Sequence, residues 1–523
     1  LLFPEGRIKL PHLIAYDLGT GGIKATLHDE ALRIIESAFV EYRTHCPSPQ
    51  RHEQRPEDWW AAVCASTKKL LASSGVPATD VAGAALSGQS LVAIPLDAEN
   101  APLLEQVPIW SDTRAQEESK AFFGRVSEAE WYLATGNGFP APCYSLFKIM
   151  WLKKHQPEIF RRTRHFVGSK DYINLKLTGV LRTDRSYASG TGAYHLKREE
   201  MWQPCLDAAG IDASLFPERV PSHAIIGRVN GKAARETGLM EGTPVACGAV
   251  DNACMALGAV GVQEGGVYVS LGSSSWIPVN SREPVLDPVH KSYVFAHAQE
   301  GLYTSAFSIF AGGSSFKWVK ETLLSEIADR PDAYDRMGDM ASQSPLGAAG
   351  VLFNPSLAGG TSQDESMHIR GAFLNLSLGS RREDLIRAAM EGIALNLRSS
   401  LLYLKAHTPL SDPILFCGGG AKSPFWMQMF ADVFGMNVIT TNIEQDAASL
   451  GAAAIAARAV GLLEDYQGIP ALHETRRAFS WDRDRHAAYL RLHEVFTHAS
   501  GLLASFGEEL HKFRLDRWGD AQE

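Results

Sequence analysis

The chain has 523 residues, with 50 Lys+Arg against 59 Asp+Glu and a formal net charge of −9. A hydrophobic fraction of 45% with 21% charged residues belongs to a folded globular protein and excludes a mostly disordered one. The acidic balance argues against a dedicated nucleic-acid binder, because phosphate backbones attract a basic face.

In chain order, the first ten residues read as a lead-in to a chain that starts at Leu1 without Met. Apolar runs then predict a strand over 13–17, a glycine-rich turn over 18–22 and a second strand over 23–27, which together make a β-hairpin. Helical periodicity covers 59–71, and 81–86 reads as a buried strand that ends at Ser87-Gly88-Gln89. Residues 146–154 and 170–177 read as helices. Near 263 the pattern restarts. A strand over 266–271 runs into Gly272-Ser273-Ser274-Ser275 and a strand over 276–279, copying the first hairpin. Two such units about 250 residues apart indicate duplication into two similar domains facing a cleft. The expected boundaries are 12–262, 263–500 and a helical tail over 501–523. Late in the chain come a strand over 414–417, Gly418-Gly419-Gly420-Ala421-Lys422, a helix over 425–434 and an Ala-rich helix over 447–460. From 485 an amphipathic helix follows, with Tyr489, Leu492, Val495 and Phe496 at helical spacing.

No apolar run reaches the ~18 residues of a membrane helix. The seven cysteines, at 46, 64, 143, 205, 247, 254 and 417, form no CxxC pair. They read as reduced, buried thiols of a cytoplasmic protein that has no signal-peptide pattern. Their spacing with the histidines matches no zinc site.

Asp17 ends a strand just before Gly19, Thr20, Gly21 and Gly22. Glycines let backbone N–H groups approach an anion, and a carboxylate beside them can hold a metal-bound water near phosphates. An ordinary hairpin turn is the plainer reading, with Lys24 a solvated strand lysine. Gly272, Ser273 and Ser274 offer hydroxyls and backbone donors at the matching place in the second unit; alone, they are a serine-rich turn. Gly418 to Lys422 lies between strand and helix, where glycines suit either a nucleotide or a tight turn. Asp251 is an acid in an apolar, small-residue stretch, so it is a candidate general base or else a helix N-cap. Gln89 and the Trp110-x-Asp112-x-Arg114 cluster supply amide, carboxylate and aromatic surfaces for a sugar. Alternatively, that cluster is a surface Asp–Arg pair beside a core Trp.

Together these pieces resemble the FGGY family of carbohydrate kinases over about residues 13–500. Asp17-Leu-Gly-Thr-Gly-Gly-Ile-Lys is similar to its first phosphate loop. Ser145-x-x-Lys148-Ile-x-Trp151 resembles its first signature, with Cys143 unusual at the opening position. Lys170-Asp171-Tyr172 and Asp184 to Ala188-Ser189-Gly190-Thr191 are also of the family's type. Gly371 through Asp384-Leu385 to Glu391-Gly392 resembles the second signature, with Asn375 in place of a glycine. Gly418 to Trp426 resembles the adenosine segment. The resemblance implies an α/β fold of two duplicated actin/hexokinase-like (ribonuclease H-like) domains flanking a catalytic cleft. It also implies ATP and Mg²⁺ as cofactors, and a homodimer.

Within the family the look is closest to the branch acting on ketoses such as D-xylulose, but that branch has Met-His after Gly-Gln where this chain has Ser90-Leu91. It also carries a Gly-Glu-Arg segment where this chain has Gly360-Thr361-Ser362. By resemblance, Asp251 is the base and Asp17 holds the metal through water. Gln89, Ser90, Leu91, Trp110, Asp112, Asp251 and Asn252 face the sugar. Gly19 to Gly22, Lys24, Gly272 to Ser274 and Gly419, Gly420, Ala421 and Lys422 face ATP. Other pentuloses, polyols, sugar acids or a hydroxylated signal molecule remain open as substrates. A non-catalytic nucleotide or sugar sensor on the same fold is the alternative from another class, disfavoured by the presence of both Asp17 and Asp251.

Overall fold

The computed structural model describes residues 11–138, 140–443 and 445–518, so the lead-in and the last five residues of the expected tail lie outside the described residues. Among the described residues, two seven-stranded sheets carry the fold.

The first half contains β1 (His12–Leu18), β2 (Gly22–His28), β3 (Ile34–Glu41), α1 (Pro56–Ser74) and β4 (Val81–Gly88). After α2 (Ser145–His155), α3 (Ser169–Thr178) and the short α4 (Arg185–Ser189) come β5 (Ile225–Arg228), β6 (Pro244–Ala246), β7 (Ala249–Val250) and α5 (Asp251–Val260). The sheet order is β5-β6-β4-β1-β2-β3, with β7 paired to β4. β1, β2 and β3 are antiparallel neighbours, whereas β4 runs parallel to β1 and β6 runs parallel to β4.

The second half repeats this. It has β8 (Tyr268–Leu271), β9 (Ser275–Ser281), β10 (Tyr293–Ala296), β11 (Tyr303–Ile309), α6 (Gly312–Leu323) and the long α7 (Arg382–His407). Then follow β12 (Ile414–Cys417), α8 (Pro424–Phe434), β13 (Val438–Thr441), α9 (Ala447–Ala459), β14 (Thr475–Phe479) and α10 (Arg483–Trp518). Its order, β10-β11-β9-β8-β12-β13-β14, places β11-β9-β8-β12-β13 in the arrangement of β3-β2-β1-β4-β6. The duplication read from two small-residue turns is therefore a duplication of whole sheets.

β1 is buried on both faces, which is why its sequence is an apolar run without alternation. Ile14, Tyr16 and Leu18 enter the core under α1, while Leu13 and Ala15 face the other way, against α9. α9 belongs to the second half yet packs on the first half's sheet, and its run of alanines is what permits so close an approach. α5 and α9 cross between the two sheets. A Cβ on Gly258 would lie 1.8 Å from the Ala447 carbonyl oxygen, and one on Gly451 would lie 1.9 Å from that of Cys254. Only glycine fits at either place.

The predicted helices stand, most with slightly wider bounds, while the Ala-rich α9 ends one residue earlier, at Ala459. α1 starts on Pro56 in its first turn and stops at Gly75, whose φ of 68° is left-handed. In α10, Tyr489 and Phe496 are buried, but Val495 is exposed, against the expected apolar stripe. The boundary expected after residue 500 falls inside α10, which runs through it unbroken. All seven cysteines are free. The expectation of buried thiols holds for Cys205, Cys247, Cys254 and Cys417; Cys46 is exposed and Cys64 and Cys143 are half-buried. No helix among the described residues is long and apolar enough to cross a membrane.

Candidate active site

The site begins where parallel strands end, the usual place for a ligand crevice in such sheets. β1, β4 and β7 finish side by side, with Asp17 opposite Ser87 and Ser87 opposite Ala249. One residue beyond β7, Asp251 opens α5. Asp251 thus lies two strand spacings across from Asp17 and two residues further on, which puts their backbones roughly 12 Å apart. Ser87 donates its hydroxyl to Asp17 Oδ1 at 2.8 Å. Burial raises the Asp17 carboxyl above the usual range, and the Ser87 hydrogen bond and nearby Lys24 pull it back. Burial pushes Asp251 up to about 7; the charge of Asp17 adds to this, while the Asn252 N–H, bonded to Asp251 Oδ1 at 2.8 Å, opposes it. Asp251 is not the N-cap: Val250 holds that position and Asp251 is the first helical residue.

Two small-residue loops follow equivalent strands, the first after β1 and the second after β8. In the first, Gly19 N–H closes the turn on the Gly22 carbonyl at 3.1 Å. Tyr42 donates its hydroxyl to the Gly19 carbonyl, and Gln54 Nε2 donates to the Thr20 carbonyl at 2.7 Å. Those contacts keep carbonyl oxygens, which would repel a phosphate, turned into the protein. Lys24 is not a free strand lysine: it pairs with Asp446, the residue before α9 in the other half. In the second loop, Gly272 N–H bonds the Ser274 carbonyl at 3.1 Å, and Ser273 and Ser274 are exposed. The start of α6 secures this loop from behind, with Gly313 N–H on the Gly272 carbonyl and Ser314 N–H on that of Ser273, both at 2.9 Å. A Cβ on Gly313 would lie 2.2 Å from the Gly272 oxygen. These α6 residues were missed from sequence, although Gly312-Gly313-Ser314-Ser315 is a visible small-residue run.

The third glycine segment follows β12, the parallel neighbour of β8. Gly418 has a φ of 90°, and Cβ atoms on Gly418 and Gly420 would crowd Leu271 at 2.8 and 2.5 Å. Gly419 and Lys422 are exposed, whereas the Ala421 side chain is buried in the second core.

On the other side of the site, Gln89 is 1% exposed. Its Nε2 donates to Gln54 Oε1 at 2.9 Å, linking it to the first loop, and its own Oε1 has no protein partner. Ser90 is buried, and Leu91 adopts a φ of 61°, rare for a branched side chain. The first signature explains how that turn is held. Ser145 Oγ donates to the Val92 carbonyl at 3.1 Å, and Lys148 Nζ donates to the carbonyls of Leu91 and Ile109 at 3.0 and 2.6 Å. Burial lowers Lys148 to about 8. Trp110, next to Ile109, is 40% exposed and gives its indole N–H to Thr20 Oγ1 at 2.8 Å. Asp112 differs from the expected sugar contact. It is fully buried, Oδ1 takes the Arg114 Nε at 2.8 Å, and Oδ2 takes Arg114 Nη2 at 2.7 Å and the His52 N–H at 2.8 Å. The cluster is thus a buried Asp–Arg pair beside an exposed Trp, the inverse of the plainer sequence reading. Asn252 lies half-buried beside Asp251.

The second signature is structural. Glu391 on α7 accepts from Arg387 Nε at 2.8 Å and from the Tyr489 hydroxyl at 2.9 Å, tying α7 to α10. Asn375 stands in for glycine because its φ is 60°, a region Asn tolerates, and its Nδ2 bonds the Gly350 carbonyl at 3.0 Å. In the stretch lacking Glu-Arg, Thr361 is buried and its N–H bonds Asp364 Oδ2 at 2.7 Å.

Comparison with known proteins finds the same fold in relatives along most of the chain. The chain is 30% identical over 461 residues to a xylulose kinase of Bacillus subtilis, covering 88% of this chain and 90% of the relative. It is 27% identical over 501 residues to a gluconokinase of Bacillus licheniformis, covering 94% and 96%. A ligand-bound xylulose kinase structure from Lactobacillus acidophilus superposes with a TM-score of 0.89 at 25% identity, over 96% of this chain and all of that one. Models of the N-terminal and C-terminal domains of FGGY carbohydrate kinases match residues 12–258 and 267–460. The carboxylates and glycine loops thus sit in a fold shared along nearly the whole length of this chain with these proteins, and the chain belongs to the FGGY family of carbohydrate kinases.

Proposed function

We propose that this protein transfers the γ-phosphoryl group of Mg²⁺–ATP to a hydroxyl of a ketose, with D-xylulose the first candidate. The observation that carries the reading is the placement of Asp17 and Asp251 at the ends of β1 and β7, the two strands that flank β4, together with two loops whose carbonyls are tied back into the protein.

Gly19 to Gly22 and Gly272 to Ser274 grip the phosphates from opposite sides, and Gly418 to Lys422 takes the adenosine. The nucleotide fits this cradle, because the places where side chains would intrude are glycines. A single carboxylate oriented by Ser87 suits Mg²⁺, which keeps most of its waters and binds chiefly through substrate phosphates. Among the described residues no group of three or more His, Cys, Asp or Glu could form an all-protein metal cage. When bound, the ion and nucleotide supply charge shielding and the phosphoryl group. Asp251 Oδ1 is held by the Asn252 N–H, so Oδ2 is the atom we assign to take the proton from the attacking hydroxyl. The unpartnered Gln89 Oε1 accepts a sugar hydroxyl, since a buried acceptor left without one is costly. Trp110 forms the wall, and Asp112 acts through Arg114 rather than on the sugar.

A second reading, a sugar acid, is favoured by the gluconokinase relatives and by Ser90-Leu91 in place of Met-His. Coupled ADP release with Mg²⁺–ATP tests both against ketoses, aldoses, polyols and sugar acids. D-xylulose giving the highest kcat/KM supports the first reading, and gluconate giving it supports the second. No turnover on any compound, with ATP still bound, refutes both and favours a sensor.

A further inference from the structure

We propose that Ser186 is a positioning residue for Asp251: the buried Asp184 orients its hydroxyl, which in turn holds the backbone from which Asp251 projects. The proposal rests on the reading of Asp251 as the base.

Asp184 ends a short strand, Thr183–Asp184, is fully buried, and caps α4. Its Oδ2 accepts the Ser186 N–H at 3.0 Å, the Ser186 hydroxyl, and the Ser222 hydroxyl at 2.8 Å. Its Oδ1 faces Lys170 Nζ at 3.1 Å, and Lys170, also fully buried, lies 2.6 Å from Asp171. A serine hydroxyl has one proton. Ser186 gives that proton to Asp184, so its oxygen is left as an acceptor, and it takes the Val250 N–H at 2.9 Å. Val250 is the N-cap of α5, in extended conformation with φ −63° and ψ 150°, and its own side chain offers the helix no cap. Ser186 and the pairing of Val250 with Gly88 are therefore what fix the entry of α5. Asp251, one residue on, inherits its place from them.

The same buried cluster reaches the opposite side of the site. Ser169, first in α3, donates to the Gln89 carbonyl at 2.8 Å, and a Cβ on Gly88 would lie 2.7 Å from Lys170 Cβ. The Lys170–Asp184 pair is thus a common backing for the sugar-facing amide and for the base. Alignment is where such a backing acts, since an error of about 1 Å can cost on the order of 100-fold in rate.

The test compares Ser186→Ala and Ser222→Ala, each alone and combined with Asp251→Asn. Ser222 is as buried as Ser186 and donates to the same oxygen, but it does not reach Val250. Ser186→Ala is expected to lower kcat by about 10–100-fold with both KM values changed less than about threefold, while Ser222→Ala leaves kcat within about threefold. With Asp251→Asn already present, Ser186→Ala should lower kcat no further, because the group it positions has gone. An equal loss in both backgrounds, or a Ser222→Ala loss as large as that of Ser186→Ala, overturns the proposal while leaving the base reading intact. Near-normal turnover in folded Asp251→Asn overturns both. Should Ser186→Ala not fold, Ser186→Cys keeps the volume with a weaker acceptor and carries the same comparison.

Discussion

Replacing Asp251 with Asn tests the site through stability as well as rate. Burial and the neighbouring Asp17 raise this carboxyl from 3.8 to about 7. The folded protein therefore binds the proton more tightly than the unfolded chain, and stability is lost as pH rises through that window, with the full cost present above pH 7. At ~1.4 kcal/mol per tenfold change in proton affinity, the cost is at most about 4 kcal/mol. Partial solvent access at Asp251 screens this to roughly 2 kcal/mol. Asparagine carries no charge, so Asp251→Asn should melt about 4 °C higher at pH 8 if each half unfolds as a unit of about 250 residues, at ~2 °C per kcal/mol. At pH 5 the gain should fall below half of that. Scanning calorimetry at the two pH values gives the comparison. The same variant should lose about 10²–10⁴-fold in kcat, and wild-type kcat/KM should fall about tenfold per pH below 7, because the base works ionised. An unchanged melting temperature at pH 8, or wild-type kcat/KM flat from pH 8 to 5, would refute the burial argument.

At the helix crossing, Gly258→Ala and Gly451→Ala each place a methyl under 2 Å from a backbone oxygen. Each should destabilise by about 3 kcal/mol or more, seen as a fall in melting temperature. Lys148→Met leaves the Leu91 carbonyl without its buried donor and the Ile109 carbonyl with the Asp112 N–H alone, so sugar KM should rise about tenfold with ATP KM unchanged in steady-state kinetics. Asn375→Val should cost about 1–2 kcal/mol at a left-handed position, and Asn375→Gly much less; denaturant titration distinguishes them.

The hairpins, the glycine turns and Asp251 were legible because each depends on local chemistry: apolar runs, runs of small residues between strands, an acid among small residues. What supports them was not, since it arrives from distant sequence. Tyr42, Gln54 and the start of α6 are ordinary residues until the fold brings them behind the loops. Trp110 and Asp112 were read together because they adjoin in sequence, yet one faces solvent and the other is spent on Arg114. The first signature, legible only as a family resemblance, is a clamp on backbone carbonyls, while the second holds α10 in place. Val495 followed the helical period but falls on the face that nothing covers among the described residues.

The alanines of α9 and the acid that opens α5 belong to one arrangement. α5 carries Asp251 at its first residue and Gly258 seven residues on, about 10 Å along the axis. At Gly258 the backbone of α5 touches that of α9, with no side chain between them to yield. Sliding the helices past each other would break that contact, so turning about it is the softer motion. A turn there changes the relation between Gly19–Gly22, on the first half's sheet, and Gly272–Ser274, on the second's. On the reading proposed above, in which Gly19–Gly22 and Gly272–Ser274 face phosphate, turning about the small residues of this crossing is the motion by which the two loops would close on it.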